Sequence, residues 1–83
     1  MKILKFYTPT CMPCRAVGKM LEKIEVPVEE INALEDLAAV DKYNVCTTPT
    51  LIFLNDNGEE VGRTVGMVTL RDIKEIISLN LKG

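Results

Sequence analysis

Residues 8–14 read Thr8-Pro9-Thr10-Cys11-Met12-Pro13-Cys14, and they stand between two segments of different period. Before them, Lys2-Ile3-Leu4-Lys5-Phe6-Tyr7 is a short mixed run halted at Thr8-Pro9, which reads as a strand over residues 2–7. After them, Cys14, Val17, Leu21 and Ile24 recur at steps of three and four, with Lys19, Glu22 and Lys23 turned outward. That is the stripe of an amphipathic helix, expected from about Met12 to Ile24. Cys11 and Cys14 therefore fall where a strand has ended and a helix begins.

That placement has a chemical consequence. A helix N-terminus carries unpaired N–H groups and a partial positive charge, both of which favour an anion. A thiolate at Cys11 gains that stabilisation, and the thiolate is the nucleophile of disulfide exchange. Cys14, one turn further on the same face, is the natural resolving thiol. Pro13 suits the first helical turn, where its missing N–H removes no helical bond.

The rest of the chain reads as alternating elements. Val26 to Ile31, with Pro27 near its start, is an expected edge strand. Asn32 with Glu35 forms a candidate capping box for a second helix reaching about Tyr43. Thr50-Leu51-Ile52-Phe53-Leu54 is a continuous apolar run, as a central strand covered on both faces requires. Asn55-Asp56-Asn57-Gly58 is a hairpin turn returning through a strand from Glu60 to Val65, its Asn-Gly pair tolerating positive φ. Thr69 with Asp72 caps a last helix whose inner face carries Leu70, Ile73, Ile76, Ile77 and Leu81. The order is βαβαββα: an α/β chain whose first two strands are parallel, giving a four-stranded mixed sheet flanked by helices.

Composition narrows the function. With 83 residues and 47% hydrophobic residues, the chain is expected to form one domain over 1–83. A net charge of -2 without a basic stripe argues against a nucleic-acid partner. No run approaches the roughly 20 apolar residues of a membrane span. No signal-type apolar region follows Met1, so a cytoplasmic monomer is expected. The cysteine count is odd, at 3, and a bridge between Cys11 and Cys14 closes too small a ring to constrain the unfolded chain. The pair is therefore catalytic or metal-binding. With no histidine, a Cys–His nucleophile pair is excluded, and a zinc site would have only Cys46 to add. Dithiol chemistry, without metal or cofactor, is the reading carried forward; a metal-binding module is the alternative.

Several segments together resemble the thioredoxin family. Thr10-Cys11-Met12-Pro13-Cys14 is similar to its active site, and Thr47-Thr48-Pro49-Thr50 before an apolar strand is similar to its cis-proline loop. Gly58 and Gly66 match the family's usual glycines, and the likeness runs from about Ile3 to Leu81. The resemblance implies a thioredoxin-like fold and a protein-disulfide oxidoreductase. In it Cys11 attacks, Cys14 resolves, and Pro49 is cis beside them. A cis bond there would aim the Thr48 backbone at the dithiol, where an extended stretch of substrate can pair with it. Thr10, Met12, Thr48 and Gly66 are the implied substrate contacts. Disulfide-containing proteins are the implied substrates, with a thioredoxin reductase or a glutathione system upstream.

The departures are equally specific. The chain begins one strand and one helix later than a full-length thioredoxin, so one sheet face is expected to be thinly covered. Thr10 replaces the tryptophan that usually precedes the first cysteine. The family's buried aspartate falls on Lys5 and its lysine partner on Glu30, a reversed charge pair. Either these two support the dithiol, Lys5 by favouring the Cys14 thiolate and Glu30 by accepting its proton, or they are solvated on the thin face. Glutaredoxins are also similar in size, but they tend to place proline directly after the first cysteine and carry paired glycines where this chain has Gly66-Met67. Protein substrates are therefore preferred over glutathione. Cys46, three positions before Pro49, is either a redox-sensitive regulatory thiol or a small buried hydrophobe at a helix-to-strand link.

Overall fold

Thr50–Leu54 forms β3, buried at every position. In this computed structural model, which describes residues 1–81 with Leu81 as backbone only, β3 pairs antiparallel with β1 (Lys2–Tyr7) and with β4 (Glu60–Val65). β2 (Val28–Asn32) lies parallel to β1 at the edge, so the order is β2-β1-β3-β4. With α1 (Met12–Leu21), α2 (Leu37–Lys42) and α3 (Leu70–Leu81) the chain runs βαβαββα, the expected α/β architecture.

Alternation along the strands builds two apolar layers. Ile3, Leu51 and Phe53 face Val17 and Leu21 of α1 and Ile73 and Ile77 of α3. Leu4, Phe6, Ile31, Ile52 and Leu54 form the opposite layer, against Ala39, Val40 and Tyr43 at the short α2. The thinly covered face is thus the α2 face. The inner-face expectation for the Leu81 side chain lies outside the described residues.

Three boundaries differ from the sequence reading, each for a local reason. α1 stops at Leu21 rather than Ile24: the N–H groups of Lys23 and Ile24 bond back only three residues, to Met20 and Leu21, so the last turn tightens. β2 starts at Val28, because Pro27 has no N–H to donate; its carbonyl accepts the Ile3 N–H at 2.9 Å instead. Asn32 is not the cap of α2. It is paired with Tyr7 as the last residue of β2, and its Oδ1 accepts the Leu34 N–H at 2.9 Å in a local turn. Asp36 caps the helix, its Oδ1 accepting from the Ala39 N–H at 3.0 Å.

α2 ends in a Schellman turn. Asn44 takes the left-handed φ of 52°, and the Val45 N–H donates to the Val40 carbonyl at 3.0 Å. In the hairpin Gly58 alone adopts positive φ, at 80°, and Asn57 does not share it. Thr69 and Asp72 do form the expected box at α3, the Asp72 N–H donating to Thr69 Oγ1 at 3.1 Å.

Candidate active site

Cys11 is the N-cap residue of α1, with φ -87° and ψ 107°, so its backbone is extended just where the helix starts. Its sulfur accepts the Cys14 N–H at 3.1 Å, one of the amino-terminal donors that the helix itself leaves unpaired. Cys11 is half-exposed, whereas Cys14 is buried at 2%. The two sulfurs are joined in a disulfide, with Cα atoms 5.2 Å apart. Cys11 is thus the more accessible of the pair and Cys14 the buried one, which is the asymmetry an attacking and a resolving thiol require. Met12 and Pro13 are both exposed, Pro13 within the first helical turn.

Sheet register brings three loops to the same end of the molecule. Phe6 pairs with Thr50, and Thr50 with Val65, so the loops after β1, before β3 and after β4 are neighbours. The Thr48–Pro49 bond is cis. The loop is tied in place from both sides: Thr50 Oγ1 donates to the Thr47 carbonyl at 2.7 Å, and the Gly66 N–H donates to the Pro49 carbonyl at 2.8 Å. Thr48 is half-buried, and it precedes β3, outside that strand's own ladder. Thr10 is exposed, as are Met12 at 70% and Met67 at 60%. Met67 was not among the residues singled out from the sequence; its place directly after Gly66 was the available sign.

Lys5 and Glu30 are brought together, but not on the thin face. They are partners in the β1–β2 register and point to the side covered by α1 and α3. Lys5 is buried at 6%, so its solvated reading is overturned, while Glu30 stays exposed. Lys5 Nζ lies 3.6 Å from Glu30 Oε1 and 5.6 Å from the centre of the Tyr7 ring, within cation–π reach. The space it occupies is left by Gly18 of α1, where a Cβ would stand 2.8 Å from Nζ. Gly18 was also missed in the sequence, although a glycine inside a helical stripe is a recognised sign of close approach.

Cys46 is exposed, not a buried hydrophobe. The Schellman turn delivers it to the surface beside Thr47 and Thr48, its Sγ donating to the Asn44 carbonyl at 3.8 Å. It is not gathered with the pair: among the described residues no three His, Cys, Asp or Glu side chains converge as metal ligands would. Among those residues no helix is long and apolar enough to cross a membrane.

A dithiol at the amino end of a helix, facing a cis-proline loop across the end of a mixed sheet, defines a thioredoxin-fold redox protein. The thioredoxin family model matches residues 1–79. A prophage-derived thioredoxin-like protein, YosR, of Bacillus subtilis is 33% identical over 80% of this chain and 82% of its own. A thioredoxin of Chlamydia caviae is 33% identical over 93% of this chain and 76% of its own. Among solved structures, a thioredoxin variant from Halobacterium salinarum superposes with a TM-score of 0.85 at 28% identity, over 94% of this chain and 72% of that one. Thioredoxin 1 of Thermosipho africanus shares the fold, with a TM-score of 0.82 at 23% identity over 99% of this chain and 96% of its own. The chain belongs to the thioredoxin family, and its Cys11–Cys14 pair makes it a thiol–disulfide oxidoreductase acting on protein disulfides.

Proposed function

We propose that Cys11 is the attacking sulfur, Cys14 the resolving one, and the surface formed by Thr10, Met12, Thr48, Gly66 and Met67 the docking site for an extended segment of substrate. The observation that carries this is the asymmetry of the pair, a half-exposed Cys11 capping α1 above a buried Cys14. The Cys11 thiolate attacks a substrate disulfide, one substrate sulfur departs as a thiolate, and a mixed disulfide remains. Cys14 then attacks Cys11 and releases the second substrate sulfur, leaving the oxidised pair seen here. Thr48 supports the reading because it stands before the cis bond to Pro49 and outside the β3 ladder, where an incoming strand would pair with its backbone. Exposed Met12 and Met67 add adaptable apolar contact around the sulfurs.

The protein works, on this reading, as a cytoplasmic monomer with one domain, without nucleic acid, recycled by a thioredoxin-type reductase. Reduction of insulin disulfides by Cys11→Ser and Cys14→Ser variants tests the assignment. Cys11→Ser should be inactive, and Cys14→Ser should accumulate a mixed disulfide through Cys11. Turnover by Cys11→Ser would sink the assignment. Parallel assays with thioredoxin reductase, and with glutathione plus glutathione reductase, decide the electron source; recycling by glutathione alone would refute the reductase named here.

A further inference from the structure

Two costly choices meet at one point of the interior. An ammonium buried at 6% exposure loses most of its hydration, and its one carboxylate partner among the described residues, Glu30, sits at 3.6 Å with its own side chain largely in water. The room for it comes from Gly18 in the middle of α1, where alanine would be the better helix former. Neither choice favours stability, so the place where they coincide matters. Gly18 lies four residues after Cys14, on the same face of α1 and one turn away, roughly 6 Å along the helix surface. Cys14 is buried on that face with Val17 and Leu21. The ammonium therefore packs against the turn of α1 that follows Cys14, and with Lys5 at 6% and Cys14 at 2% exposure little water stands to screen its charge.

The other charges around Lys5 are few. β2 brings Glu30, β1 brings the Tyr7 ring, and α1 brings Arg15, Lys19 and Glu22 at the rim of the cleft beside Gly18 and Glu30. β3 brings Leu51 and α3 brings Ile73 and Ile77, which carry no charge.

We infer that Lys5 is a positioning residue for the exchange: its ammonium favours the Cys14 thiolate in the resolving step, and the Glu30 carboxylate moderates that charge. The inference rests on the resolving role assigned to Cys14 above. In the step, Cys14 gives up its proton to solvent and its thiolate attacks the Cys11 sulfur of the mixed disulfide. The bond from Cys11 to the substrate breaks, the Cys11–Cys14 bond forms, and the substrate sulfur leaves with the electron pair as a thiolate. The protein pair is oxidised by two electrons and the substrate disulfide is reduced. Because the ammonium stabilises a thiolate and not the disulfide, it stabilises the reduced protein and raises its reduction potential.

Redox equilibration of the full chain against dithiothreitol tests this. Lys5→Met should lower the equilibrium constant for reduction of the protein by about three- to tenfold, a potential ~15–30 mV more negative. Glu30→Gln, at an exposed edge position, should move it the other way by about two- to threefold. Shifts of opposite sign are the expected result; two unmoved potentials, or two of the same sign, overturn the inference. Should Lys5→Met fail to fold, Glu30→Gln decides alone, and a potential that does not rise overturns it. Insulin turnover by Cys11→Ser keeps the two readings apart. An inactive Cys11→Ser with unmoved potentials rejects only the role of Lys5, whereas an active Cys11→Ser rejects the assignment beneath it.

Discussion

Gly18 on α1 and Lys5 on β1 occupy one volume between them: a Cβ at residue 18 would stand 2.8 Å from the lysine Nζ. The atom it meets is the end of a flexible side chain, so Gly18→Ala should fold with the lysine head displaced. Alanine gains about 1 kcal/mol over glycine inside a helix. Displacing a buried ammonium from its carboxylate opposes that gain. Gly18→Ala is therefore expected to leave stability nearly unchanged in the natural sequence and to gain ~1 kcal/mol when Lys5 is first replaced by valine. Urea unfolding of the four proteins in this cycle checks it. Equal effects of Gly18→Ala in both backgrounds would show that the two residues do not share space.

That pair also marks the limit of what the sequence discloses. β3 was legible because Leu51–Leu54 is a continuous apolar run behind the β-branched Thr50, the pattern of a strand covered on both faces. The place of the dithiol was legible because a proline-stopped strand and a helical stripe meet at Cys11. Lys5 was not, since a lysine inside a strand is compatible with either face until the helix above it is known to lack a side chain. The start of α2 was obscured for another reason. Asn32 and Asp36 both have cap-forming side chains, and the choice between them is made by the pairing of Asn32 with Tyr7 in the sheet. The exposure of Cys46 was left open because the Schellman turn before it depends on Asn44, whose left-handed backbone is permitted but not announced by its identity.

Asp36→Ala should therefore weaken α2 where Asn32→Ala does not. Asp36 Oδ1 is the acceptor for the Ala39 N–H, and loss of such a cap costs about 1 kcal/mol. A helix of 6 residues has little else to hold its first turn. Hydrogen exchange of the amides in α2 checks the distinction: faster exchange is expected with Asp36→Ala, at unchanged exchange in α2 with Asn32→Ala. The reverse pattern would restore Asn32 as the cap.

Cys46 should be the one thiol that reacts while the pair is oxidised. Its side chain is exposed, and the Cys11 and Cys14 sulfurs are engaged with each other. Titration of the oxidised native protein with an aromatic disulfide reagent is expected to release one equivalent of thiol dye, and none from Cys46→Ser. Reduction should then make Cys11 available ahead of the buried Cys14. No reaction by the oxidised protein would mean that Cys46 is covered.

The acid side of the stability profile should carry a contribution from Glu60. The hydrogen bond from Arg63 holds its carboxyl below the ordinary glutamate range, with partial burial working the other way and the attraction of the guanidinium adding to the lowering. A carboxyl with a lower value in the folded protein binds fewer protons there than in the unfolded chain. Its stabilisation is complete above the unfolded value and is lost as pH falls through the folded one. Both side chains are partly exposed, so the effect is that of a surface pair, about 0.5 kcal/mol. Glu60→Gln should flatten the fall in stability below about pH 5 by that amount. Arg63→Met should cost more than Glu60→Gln at neutral pH and should still cost stability in acid, because the same guanidinium donates to the Tyr43 carbonyl at 2.7 Å, whatever the protonation of Glu60, and ties β4 to the end of α2. Urea midpoints measured across the acid range check both variants. Equal losses from Glu60→Gln and Arg63→Met at neutral pH would show that the contact with Tyr43 contributes nothing.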